Sequence, residues 1–168
     1  MKSSLPIFFL ILSLNTIAQV HNERPTRDSL TLIMPVSKET FYESHIQSTP
    51  FVVGPNILQL FPGDTVFIEV EQNNGRIVEL KSVKENKNRD KTLEISFVQN
   101  AEDGKHANMV LKVKNPFKQD LLYEALIKTI KAENWVPTSI IPVKGGLIGI
   151  EMWPDVIVSI ALAEWKFL

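Results

Sequence analysis

The chain has 168 residues, with 18 Lys and Arg against 19 Asp and Glu and a formal charge of −1 at pH 7. So even a balance gives no electrostatic footprint for nucleic acid or an anionic membrane surface, and neither is expected as a partner. Cysteine is absent, which excludes disulfides, cysteine nucleophiles, cysteine zinc sites and thiolate copper sites.

The first residues read as a targeting segment. Lys2 supplies a positive charge, Leu5 to Leu14 form an uncharged apolar run, and the small residues Thr16 and Ala18 follow. The run is ten residues long, whereas a helix needs roughly 20 to cross a bilayer. A signal peptide over residues 1–18 is therefore expected, with no transmembrane anchor, and the product is expected to be exported to the periplasm or the medium. Residues 19–29 include His21, Asn22, Glu23, Arg24 and Pro25 and have no apolar period. They are expected to form a flexible leader. Residues 30–168 are then expected to fold as one domain of ordinary size.

Short alternating or β-branched runs follow in order: Leu30 to Met34, Thr40 to Ile46, Phe51 to Leu60, Thr65 to Gln72, Arg76 to Val83, Thr92 to Gln99 and Asn108 to Lys114. After a longer interval come Ile140 to Val143, Leu147 to Met152 and Val156 to Phe167. In Thr65 to Glu71, Val66, Ile68 and Val70 take one face while Thr65, Glu69 and Glu71 take the other, the pattern of a strand with one wet face. Pro62-Gly63-Asp64 before it predicts a turn with positive φ at the glycine. Leu93, Ile95 and Phe97, and then Met109, Leu111 and Val113, alternate in the same way. Asp120 to Lys131 repeats Leu122, Leu126 and Ile130 at helical spacing. As a strand it points Leu121, Tyr123, Ala125 and Ile127 inward, and the strand is preferred because strands flank it on both sides. The expected fold is all-β: an antiparallel β-sandwich, immunoglobulin-like in the loose sense.

From Asn115 to Trp153 the chain contains Asn115-Pro116, Leu122-Tyr123-Glu124-Ala125, Trp135-Val136-Pro137-Thr138-Ser139, Gly145-Gly146-Leu147 and Glu151-Met152-Trp153-Pro154. This set resembles small exported bacterial β-sandwich proteins of unassigned function. The resemblance implies a sandwich and lends no mechanism. Asp120, Tyr123 and Ala125 are also similar to the late strand of immunoglobulin-like domains. The usual cysteine is missing there, and the step from Asp120 to Tyr123 is shorter than in that motif. On its own residues, Tyr123 reads as a core tyrosine with a hydrogen-bonded tip.

Chemistry-bearing clusters are sparse. His21, His45 and His106 have no ligand spacing. His106 with Met109, and with Met34, His45 or Met152, makes a periplasmic copper site the alternative reading. Glu151 and Asp155 flank Trp153-Pro154 and are weighed as the carboxylate pair of a small hydrolase; no nucleophile elbow, phosphate loop or zinc-protease motif accompanies them. Trp135 and Trp153 lie at strand boundaries next to proline. They are expected to mark a contact surface at one end of the sandwich, with Lys144, Glu151 and Asp155 at its rim; the competing expectation is that both indoles lid the core. The expected function is thus a non-catalytic exported module binding a protein or glycan partner at the cell envelope, without a cofactor. Oligomeric state is open.

Overall fold

The computed structural model describes residues 25–168. The expected signal peptide, most of the expected leader and His21 lie outside the described residues. The strands are β1 (Thr26–Arg27), β2 (Leu30–Pro35), β3 (Phe41–Ile46), β4 (Thr49–Pro50), β5 (Val52–Gly54), β6 (Ile57–Leu60), β7 (Thr65–Asn73), β8 (Arg76–Val83), β9 (Thr92–Glu102), β10 (Lys105–Lys114), β11 (Leu121–Thr129), β12 (Val136–Thr138), β13 (Ile148–Trp153) and β14 (Ile157–Phe167). Two five-stranded antiparallel sheets dominate, ordered β13-β10-β9-β7-β8 and β12-β11-β14-β6-β5. This is a β-sandwich, immunoglobulin-like only loosely. Among the described residues no helix is long and apolar enough to cross a membrane.

The alternation in the sequence places the core. Val66, Ile68 and Val70, Leu93, Ile95 and Phe97, and Met109, Leu111 and Val113 are buried from the first sheet. Leu58, Leu60, Leu121, Tyr123, Ala125, Ile127, Ile160 and Leu162 meet them from the second. Asp120 to Lys131 is a strand, β11, with the inward set predicted for a strand. Its helical repeat of Leu122, Leu126 and Ile130 carries no core: Leu126 is exposed and Leu122 and Ile130 only partly buried.

Turns account for most of the remaining boundaries. Gly63 has φ 101° and Asp64 N–H donates to Phe61 C=O at 3.0 Å, so Pro62-Gly63 forms the expected type II turn. Phe51 to Leu60, read as one strand, is two, because Gly54-Pro55-Asn56 turns β5 back onto β6. The gap between the runs Thr92 to Gln99 and Asn108 to Lys114 shrinks to Asp103-Gly104, both at positive φ, as the two-residue hairpin between β9 and β10 requires. Ile140 to Val143, expected as a strand, is irregular and makes only an isolated bridge between Val143 and Leu121.

The fold also takes in the end of the segment read as a leader. β1 pairs with β4, and Arg27 is 4% exposed. Its guanidinium lies between the rings of Phe51 and Phe61, 4.7 Å from each centroid, and donates to both oxygens of Asp64, to Thr49 Oγ1 and to Gln59 C=O. Asp64 also accepts from Phe61 N–H at 2.7 Å. A charge this deep persists because nearly every donor and lone pair finds a partner.

The sandwich is closed along one side. There β8 is broken by a bulge at Val78. Asn56, at φ 57° in the turn between β5 and β6, donates to Val78 C=O and accepts from Leu80 N–H. One side-chain amide thereby occupies backbone groups that an edge strand otherwise offers to a neighbour.

A candidate docking edge on β13

The opposite side is built differently. β12 and β13 are the last strands of their sheets, and β13 lies over the segment 138–143 in antiparallel order. Trp153 Nε1 donates to Thr138 Oγ1 at 2.9 Å, Glu151 Oε1 accepts from Ile141 N–H at 2.9 Å, and Val143 packs under Gly149. A Cβ at Gly149 would sit 2.6 Å from Val143 Cγ2, so only glycine allows this approach. The segment reaches β13 through a turn at Lys144-Gly145-Gly146, whose Gly145 has equally little room: a Cβ there would lie 2.2 Å from Lys118 C=O.

Because Gly149, Glu151 and Trp153 take the inner face, the period of two turns Ile148, Ile150 and Met152 outward. They are 58%, 56% and 66% exposed. Leu147, just before β13, and Ile141, in the facing segment, are also exposed. The pairing of β10 with β13 has no register shift, and on the outer face Val110, Lys112 and Lys114 stand opposite Met152, Ile150 and Ile148. Among the described residues no backbone group pairs with the free edge of β13.

The five residues singled out in the sequence do not form one patch. Trp153 and Glu151 lie on the inner face of β13, each with a polar atom committed to the facing segment. Trp135 is 39% exposed just before β12, level with Lys128 of β11 by register. Lys144 sits at the other end, where its Nζ donates to Asp120 Oδ2 at 2.6 Å and Gly145 N–H donates to Asp120 Oδ1. These donors hold the Asp120 carboxyl below the usual range. Asp155, past the end of β13, lines a small cleft with His106, Thr129 and Val36. Glu151 and Asp155 thus face different surroundings. Burial, with Glu151 adding to it, pushes the Tyr123 phenol well above the usual tyrosine range. Tyr123 packs on Trp165, the third tryptophan, at 4.8 Å between ring centroids.

The copper set is similarly dispersed. Met34 and Met109 are buried in the core, Met152 points outward, and His106 uses its ring nitrogens on Gln99 and on Pro154 C=O. No cluster of three or more His, Cys, Asp or Glu is found among the described residues. The outward aliphatic row was missed because an apolar residue in an alternating strand is assigned inward by default. Its signal was Gly149 and Glu151, poor core residues that share a face with Trp153. No protein-family model, curated protein or solved structure matches the chain.

Proposed function

We propose that this chain is an exported, non-catalytic β-sandwich module that holds a protein partner at the cell envelope through the free edge of β13. The observation that carries the reading is the row Ile148, Ile150 and Met152, exposed on an edge strand whose backbone is unpaired among the described residues. An extended segment added there gains main-chain hydrogen bonds from the edge and apolar contacts from the row. A glycan fits this surface less well than a protein. Sugar recognition needs polar groups converging beside a stacking ring, and here the polar atoms of Trp153, Glu151 and Lys144 are engaged within the chain. Export rests on the N-terminal pattern of residues 1–18.

The test is a photo-reactive benzophenone side chain at position 150 of the full chain, irradiated in cells that export it. A protein adduct of defined mass, absent when the probe replaces Val78 on the closed edge, is expected. No adduct at 150 above the Val78 control sinks the reading.

A further inference from the structure

We infer that the occupant of this edge is a second copy of the chain, joined β13 to β13 antiparallel about a two-fold axis centred on Ile150. The inference rests on the reading that the edge holds a protein, and it names which one.

The first argument is the treatment of the other sheet edges. β8 carries Arg76, Glu79 and Lys81, is bulged and is capped by Asn56. β12 has three residues and contains Pro137, and β5 has three residues bracketed by Pro50 and Pro55. These are the devices that keep strand edges from pairing with other chains. β13 has six residues, no proline, no lysine and no bulge. Of the four outer edges of the two five-stranded sheets, it alone carries none of these devices.

The second argument is charge. A two-fold axis sets a residue at the axis against its own copy, so a charge placed there meets its own sign. The outward row of β13 has none of its own, and the nearest outward charges, Lys112 and Lys114, lie one strand further in on β10. An uncharged, flat row suits its own copy.

The third is register. Directly opposed residues of an antiparallel pair share a face, so the axis must pass midway between a residue and its own copy. Centred on Ile150, the pairing sets Ile150 against its counterpart and Ile148 against Met152 on the outside, with Gly149 against Glu151 on the inside. Centred on Glu151, it brings two carboxylates together, which is unfavourable. Centred on Gly149, it shortens the ladder within β13 to residues 148–150, because Glu151, Met152 and Trp153 then fall opposite Leu147 and the turn at Gly145-Gly146. The Ile150 register alone is both long and free of like charges. It joins two five-stranded sheets into one that continues through both copies.

A chain without cysteine makes the test direct. Opposed Cα atoms in an antiparallel pair are about 4.5–5.5 Å apart, within disulfide reach. The Ile150→Cys chain is expected to form a covalent dimer on mild oxidation. Ile148→Cys should not link to itself, since the two positions lie four residues out of register, roughly 13 Å apart. Mixing Ile148→Cys with Met152→Cys should give the mixed dimer. Sedimentation should show a wild-type dimer and an Ile150→Lys monomer with unchanged circular dichroism. A monomeric wild type, or Ile150→Cys linking no faster than Val78→Cys, overturns the inference, as does self-linking of Ile148→Cys. If copies do not pair while the benzophenone at 150 still captures another protein in cells, the second copy is refuted and the protein-binding reading stands. If neither occurs, both fall.

Discussion

Trp135 and Trp153 look alike in the sequence, each within two residues of a proline at a strand boundary, yet they stand in different surroundings. Trp153 packs against the core and donates to Thr138, whereas Trp135 is 39% exposed. Trp153→Ala leaves a cavity and an unpaired hydroxyl and is expected to cost about 3 kcal/mol. Trp135→Ala is expected to stay within about 1 kcal/mol. Urea melts of the two variants check this, and equal losses would contradict the assignment. Proline adjacency marks where a strand ends and says nothing of burial. Burial of Trp153 depends on Thr138, 15 residues away, a pairing that no local pattern encodes. Lys144 illustrates the same limit, because its partner Asp120 is brought to it by the Gly145 turn. Arg27 does so more strongly: its sequence neighbours are polar, and only the fold supplies Phe51, Phe61 and Asp64.

At the scale of elements, alternation located β7, β9 and β10 and their inward faces, because a period of two against a buried face leaves little freedom of register, while β11 was chosen over a helix only because strands flank it. It failed where backbone geometry overrode side-chain pattern. Gly54-Pro55-Asn56 reverses a continuous apolar run, and Ile140 to Val143 bows away from β11 between two short pairings. For β13 the run Leu147 to Met152 was located but its outward face was not, since that depends on Gly149 lying over Val143. The closed side supplies a prediction of its own. Asn56→Gly keeps the positive φ at no steric cost but deletes the amide that holds Val78 and Leu80. Loss of two hydrogen bonds should lower stability by about 1–2 kcal/mol. Hydrogen exchange should show the Leu80 amide losing protection while those of β9 keep theirs. Unchanged protection at Leu80 would mean that Asn56 does not close this edge.

For the whole molecule, one apolar cluster joins both sheets and the β2–β3 hairpin, through Leu32 and Met34, so the chain should lose its packing as a unit. Tyr123 lies inside that cluster, which ties its proton to folding. Burial raises the phenol's pKa in the folded chain, with Glu151 adding to the shift, while in the unfolded chain it ionises near pH 10. Above that value the unfolded chain has lost a proton that the folded chain keeps, so unfolding releases a proton and stability falls as pH rises. Below about pH 10 the contribution is complete and the slope from this group vanishes. Lys91, raised by Glu69 and Glu71, acts in the same direction but from an exposed position, where solvent screens the pair. The expected outcome is a melting temperature that declines above about pH 10 in the wild type, with a shallower decline in Tyr123→Phe. Any baseline offset from the lost hydroxyl is separated out because the readout is the slope against pH. The chain has only two tyrosines, so the difference in phenolate absorbance between wild type and Tyr123→Phe isolates the Tyr123 titration. A Tyr123 phenolate forming in the folded chain at the pH of free tyrosine, with parallel melting profiles for the two proteins, would refute its placement in the core beneath Trp165.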